Sequence, residues 1–155
     1  MKFIAVLCSF WLAVSCNAAD QWVTLDFTNP DASRIQIVER VSYGVTSKDF
    51  VPNSGFRVEK VTSGNVTLWD GKKEEWCAST HYHNRDEVHL LHLETKDGTF
   101  DESVCFEKNS DGSWKKIDKM VFQNKLKQIS HGSATAYDMH DVKAQERKAR
   151  ERATK

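Results

Sequence analysis

Histidine is the residue type in this chain whose spacing first indicates chemistry. Four of the six histidines fall within twelve residues, at His81, His83, His89 and His92. Imidazole nitrogens bind zinc and titrate near pH 6.5, and nearby Cys77 would add a sulfur ligand. However, the His-Glu-x-x-His order of zinc proteases is absent, and His89 and His92 would point to opposite faces of a strand. Residues 79–86 are polar and predict a loop, so we interpret these histidines as polar surface residues and predict no metal or cofactor.

The chain also lacks the motifs of common nucleophilic and nucleotide-dependent enzymes. It contains no Gly-x-Ser-x-Gly, no Walker loop and no Gly-x-Gly-x-x-Gly. Two adjacent carboxylate pairs, Asp86-Glu87 and Asp101-Glu102, are unsuited to acid–base catalysis, because neighbouring side chains of a strand point to opposite faces. We therefore predict no catalytic residues and a protein that is not an enzyme.

The amino-terminal residues have the pattern of a secretory signal peptide. Lys2 supplies a positive charge, residues 3–15 are uncharged and mostly apolar, and Cys16-Asn17-Ala18 ends in a small residue. The apolar run is shorter than the roughly 20 residues that span a membrane, so an uncleaved anchor is the less favoured alternative. We expect cleavage after Ala18 or Ala19, a secreted protein, and no membrane span after cleavage.

Cleavage would leave two of the four cysteines, Cys77 and Cys105. In an oxidising compartment such a pair indicates a disulfide, which would stabilise the fold by about 3–4 kcal/mol through closure of the intervening loop. The alternative is a pair of free thiols. Asn65-Val66-Thr67 matches the acceptor pattern for N-glycosylation, so Asn65 is a candidate site, although it lies inside a predicted strand.

Alternation of apolar and polar residues dominates the body of the chain and predicts short β-strands. The alternating positions are Val23-Leu25-Phe27, Val41-Tyr43-Val45, Phe56-Val58, Val66-Leu68, Val88-Leu90 and Val104-Phe106, with Leu91 and Leu93 on a second face and a short last strand at 114–117. Turn residues separate them at 29–31, 52–55, 63–65, 70–71, 97–98 and 111–112. We predict a mainly β (α+β) fold, built as a small antiparallel sheet, a sandwich or an open barrel.

The pattern becomes helical after Asp118, which is a suitable N-cap. Phe122, Leu126 and Ile129 recur at intervals of four and three residues and form one apolar stripe. A strand that continues through Met120 to Phe122 is the alternative. We predict one carboxyl-terminal helix that covers a face or an edge of the sheet.

The last part of the chain is polar and basic. Residues 143–155 contain six basic and two acidic side chains, so the neutral total hides an acidic body and a basic tail. Such a tail could contact phosphates, although no aromatic residue interleaves with the basic ones. The predicted organisation is a signal peptide at 1–18, a β-rich domain at 20–130 and a polar basic tail at 131–155, mobile or a solvated helix.

Residues 55–61, followed by a turn and by Val66-Thr67-Leu68-Trp69, resemble the FAINT domain, which recurs in secreted proteins of Theileria-type piroplasm parasites. The family pattern has a strand ending near Tyr, a glycine-led F-x-V-x-K-V strand, a strand ending in Trp, an L-x-L strand, and Phe followed by Trp. The corresponding positions, in one copy over about residues 24–117, are Tyr43, Phe56, Val58, Lys60, Val61, Leu68, Trp69, Leu91, Leu93, Phe106 and Trp114. The histidine-rich segment and the tail depart from this pattern.

The resemblance implies a secreted, non-enzymatic parasite effector or surface protein that binds host or parasite proteins. It would be exported into the host cell or retained at the parasite surface. From the pattern we expect a structural core of Tyr43, Phe56, Val58, Trp69, Leu91, Phe106 and Trp114, with Trp69 closing one end of the sheet. The alternatives are a nuclear or nucleic-acid-associated effector that acts through the basic tail and, less favoured, a His-cluster zinc protein.

Overall fold

A computed structural model describes residues 19–131 of the chain. These residues form one sheet of nine strands, followed by a helix. The strands are β1 Gln21–Asp26, β2 Ile35–Ser42, β3 Val45–Pro52, β4 Phe56–Ser63, β5 Val66–Asp70, β6 Trp76–Arg85, β7 Val88–Lys96, β8 Asp101–Lys108 and β9 Trp114–Ile117, and the helix is α1 Lys119–His131. The predicted signal peptide at 1–18 and all but the first residue of the predicted tail at 131–155 lie outside the described residues.

The sheet is organised around β6, which is its longest strand. The main path runs β1-β4-β6-β7-β8-β9, in which β1 and β4 are parallel and the other neighbours are antiparallel. Because β6 is ten residues long, it pairs with β4 near its start and with β3 over its later residues. The β2–β3 hairpin therefore extends the sheet beside β4, while β5 pairs with β4.

The sheet curls into an open half-barrel whose concave side holds the main core. Aromatic rings fill its centre, where Phe27 contacts Phe50, Tyr82 and Trp114 at centroid distances of 5.7–6.3 Å. The indole of Trp114 on β9 donates a 3.2 Å hydrogen bond to Ser63 Oγ at the end of β4, across the opening. The prediction of a mainly β fold with one carboxyl-terminal helix is confirmed.

The helix α1 covers the convex face of the sheet. Phe122 and Ile129 are buried there with Leu90 of β7 and Cys105 of β8. Asp118 accepts a 2.7 Å hydrogen bond from the Met120 amide, which is the predicted N-cap. In the described part of the chain, the helix α1 is neither long nor apolar enough to cross a membrane.

The predicted core is correct except for Tyr43. Val58, Leu91 and Phe106 are buried, and Phe56, Trp69 and Trp114 are half-buried against the same concave cluster. Tyr43 is 73% exposed, because β2 ends at Ser42 and Tyr43 begins a two-residue hairpin turn. Both Tyr43 and Gly44 have positive φ, as this type of hairpin requires, so the apolar alternation that predicted a strand here crosses a turn.

The predicted disulfide between Cys77 and Cys105 is wrong. Within residues 19–131 both cysteines are unbridged and buried, Cys77 in the concave cluster and Cys105 in the convex cluster beneath α1. They therefore lie on opposite faces of the sheet, on strands separated by β7. A disulfide requires Cβ atoms about 4 Å apart, which this arrangement excludes.

Two predictions concern the turns that flank β5. Asn65 was expected inside a strand, but it lies exposed in the turn before β5, and glycosylation there stays a prediction. The Asp70-Gly71 turn is present at the end of β5, where the amide of Gly71 donates to the Glu59 carbonyl at 2.8 Å. A Cβ on Gly71 would lie 2.7 Å from the Trp69 ring, so glycine allows this half-buried ring to close the strand end.

Candidate functional site

The histidine-rich segment is a strand and not the predicted loop. Residues 79–85 form most of β6, whose two neighbours β3 and β7 satisfy its backbone and thereby override its polar composition. His81 and His83 lie two residues apart on the convex face of this strand. His92 lies directly opposite His81 on β7. We call His81, His83 and His92 the histidine cluster.

A β-bulge in β6 decides which other side chains reach this cluster. Cys77 pairs with Thr95 and Ser79 pairs with Glu94, so one extra residue is inserted between them. The bulge reverses the alternation, because it turns Cys77 into the concave core while Ser79 and His81 share the convex face. The sulfur ligand that the sequence suggested for zinc is therefore absent from the cluster.

His81 is held by a carboxylate on each side. Its Nδ1 lies 2.8 Å from Asp49 Oδ1 on β3, the residue directly opposite in the ladder. Its Nε2 lies 3.0 Å from Ser79 Oγ and 3.7 Å from Glu94 Oε1, and Ser79 Oγ also donates to Glu94 Oε2 at 2.7 Å. The Asp49 carboxylate can only accept, so the N–H at Nδ1 of His81 donates this hydrogen bond.

His92 is packed between an imidazole and a benzene ring. It stacks on His81 with ring centroids 5.6 Å apart, and the ring of Phe122 from α1 lies at the same distance on another side. Its Nε2 atom is buried and has no hydrogen-bond partner among residues 19–131. Burial lowers the pKa of His92, and the nearby charge of His81 lowers it further. An unpartnered buried nitrogen costs free energy, so it requires an explanation.

His83 is the third member of the histidine cluster and also packs against the helix. Its Nδ1 is 2.8 Å from Ser47 Oγ, and its ring contacts Phe122 at 6.3 Å. Burial lowers the pKa of His83 to about 4, with the charges of His81, His92 and Arg40 acting in the same direction. The ring is therefore neutral at pH 7 and serves as a packed polar side chain of the helix interface.

The structure gathers three potential metal ligands from the predicted segment and its neighbour. One ligand atom each from His81, His92 and Glu94 lie within 4.8 Å of one another. His89 is separate, because it faces the concave side, where its Nδ1 is 2.6 Å from the Tyr82 hydroxyl. The sequence interpretation therefore placed His89 and His92 correctly on opposite faces.

Sequence reasoning missed the two acidic members of this site. Glu94 follows His92 by two residues, so the alternation of a strand was a usable signal for their shared face. Asp49 is 32 residues before His81, and only the register of β3 on β6 brings the two together. Cys105 lies directly opposite His92 on β8, but it is not one of the three grouped ligand residues, and Cys77 faces the concave core.

Most of these strands lie within a segment that matches a known protein family. Residues 24–99 match the FAINT family model. It is described as a domain of unknown function, DUF529, and the match covers about half of the 155-residue chain. The FAINT match includes Asp49, His81, His92 and Glu94, whereas β8, β9 and α1 follow it. No curated protein and no solved structure matches the chain.

Proposed function

We propose that this chain is a secreted, non-enzymatic interaction protein of a Theileria-type parasite, which binds a host or parasite protein along strand β2. The FAINT match and the signal-peptide pattern at 1–18 support the parasite origin and the secretion. The proposed binding rests on one observation, which is that the edge of the sheet at β2 is apolar and exposed.

The strand β2 is paired on one side only among the described strands, with β3. Apart from Ile35 every one of its residues is exposed, and Ile37, Val38 and Val41 present apolar side chains to solvent on both faces. Val41 is 69% exposed. Long apolar edge strands favour pairing with another chain, and proteins usually protect such edges with charged side chains, proline, bulges or a covering element.

The charged residues of β2 are both paired with residues of β3. Glu39 forms a 3.0 Å ion pair with Lys48, and Arg40 forms an ion pair with Asp49, so both charges are engaged within the hairpin. The partner that fits this edge is an extended protein segment with alternating apolar side chains, which would add a strand beside β2. Backbone hydrogen bonds would supply affinity, and contacts with Ile37 and Val41 would supply specificity.

A pair of matched substitutions tests this surface. Val41→Lys places a charge in the proposed interface, whereas Val66→Lys places the same charge on exposed β5, where Val66 is 57% exposed. Proximity labelling in infected cells would identify partners, and titration with a purified partner would give the Kd of each variant. We expect Val41→Lys to weaken binding at least about tenfold, because a charge would be desolvated against apolar side chains.

Val66→Lys should leave the Kd unchanged. Unaltered binding by the Val41→Lys protein, or an equal loss in both variants, would contradict the proposed surface. The secretion is tested separately by the amino-terminal residue of the native protein, which we expect to be Ala19 or Asp20. A native chain that still begins at Met1 would contradict it.

A further inference from the structure

We propose that His81, His92 and Glu94 form a binding site for one divalent transition-metal ion such as Zn²⁺, with Asp49 as the residue that positions His81. The inference is independent of the proposed partner surface on β2. It concerns a site for which the FAINT family description names no ligand.

The separations of the three side chains suit a small metal ion. Their ligand atoms lie within 4.8 Å of one another. In a tetrahedral zinc site with bond lengths near 2.1 Å, ligand atoms are about 3.4 Å apart. His81 Nε2 and Glu94 Oε1 are already 3.7 Å apart, so this pair is close to the separation that a tetrahedral site requires.

The hydrogen bonds around His81 are those of a metal ligand. A ligating imidazole usually donates its other N–H to a carboxylate, which fixes the tautomer and the ring orientation. Asp49 Oδ1 is in this position, 2.8 Å from His81 Nδ1. On the other side of the ring, Ser79 Oγ lies between His81 Nε2 and Glu94 Oε2, and a bound metal would replace this hydroxyl as their common partner.

His92 provides the second, independent observation. Within the described part of the chain its Nε2 is buried without a hydrogen-bond partner, although most buried polar atoms in proteins are satisfied. Stacking on His81 and contact with Phe122 hold the ring in place, so little conformational entropy would be lost on binding. A metal bond would give this nitrogen a partner.

The charges around the site limit the affinity that we expect. Asp49 and Glu94 are negative, but Arg40 is paired with Asp49, and Lys119 of α1 lies near His92, with its Nζ 3.1 Å from Ser103 Oγ. We therefore expect binding in the micromolar range and not tighter. Three protein ligands leave a fourth position for water or for a donor from a partner protein. This site requires no catalytic step.

The test is a titration of the purified chain, produced without a histidine tag and freed of metal with a chelator. Zn²⁺ is added in competition with a chromophoric chelator, and stoichiometry and Kd are measured. We expect one ion per chain, and at least about tenfold weaker binding for Glu94→Gln and His81→Gln, because each loses a ligand. Asp49→Asn should weaken binding by about 10–100-fold through the tautomer of His81.

His89→Gln is the matched control, because His89 lies on the same strand as His92 but faces the concave side. Glu94 is exposed, so its variant should fold normally, which a thermal melt with wild-type Tm would show. Co²⁺ gives a second readout, since visible absorption bands of a tetrahedral complex should appear in wild type and disappear in Glu94→Gln. Absence of stoichiometric binding in wild type, or equal Kd values in wild type, Glu94→Gln and His81→Gln, would overturn the proposal.

Discussion

At the scale of single residues, the bulge between Cys77 and Ser79 places the Cys77 thiol and the His81 imidazole on opposite faces of the sheet. It sends the Cys77 thiol into the concave core and leaves Ser79 and His81 on the convex face. Burial raises the pKa of Cys77 to about 11 and also raises that of Cys105. Since the thiolate is the reactive form, both cysteines should behave as inert core residues.

We predict that neither thiol is alkylated rapidly in the folded protein. A pKa of about 11 in place of 9.0 lowers the thiolate fraction of Cys77 at pH 7.5 roughly 100-fold, and burial blocks access further. The measurement is iodoacetamide labelling followed by peptide mass mapping, with protein in guanidinium as the control for full reactivity. A Cys77–Cys105 cross-linked peptide in native material would contradict the structure.

At the scale of elements, the sequence predicts those units whose local pattern and packing agree. The helix α1 was predictable because Phe122 and Ile129 form its buried stripe and Asp118 caps it. The strand β6 was not, because its burial comes from two neighbouring strands and a helix, and residues 79–85 are polar apart from Tyr82. For the candidate site, the sequence showed that the histidines are close together. It could not show that Asp49 lies beside His81, because this depends on the register between β3 and β6, which no local pattern encodes.

We predict that the helix is held to the sheet mainly by Phe122. This ring is 5% exposed and contacts His83 and His92, so Phe122→Ala should lower the free energy of unfolding by about 3–5 kcal/mol. Val121→Ala, one residue away and 42% exposed, is the control and should change it by less than about 0.5 kcal/mol. Urea unfolding measures both. Similar losses in the two variants would show that α1 is not packed on its Phe122 face.

At the scale of the whole molecule, a polar contact links the edge strand β9 to β4, which lies next to the other end of the main path. The indole of Trp114 on β9 donates to Ser63 Oγ of β4, although three strands lie between β4 and β9 along the sheet. The ring also contacts Phe27, so the opening of the half-barrel is closed by an aromatic side chain with a satisfied N–H.

A double-mutant cycle of Trp114→Phe and Ser63→Ala measures this closure. We predict a coupling energy of about 0.5–1.5 kcal/mol in the free energy of unfolding, because the two groups share one hydrogen bond. Urea denaturation of wild type, both single variants and the double variant supplies the four values. Strictly additive losses would mean that β4 and β9 do not support each other.

Both β3 and β4 pair with β6, and this has a consequence for synthesis of the chain on the ribosome. The β1–β4–β5 group and the β2–β3 hairpin are both complete by residue 70, yet each joins the sheet through pairing with β6, which begins at Trp76. A nascent chain must therefore keep two sets of apolar strand faces apart from other molecules until this later segment has emerged. Folding of this domain is therefore governed by contacts between distant parts of the chain, which form slowly. The earlier strands cannot complete the sheet until β6, which contains His81 and His83, has been synthesised.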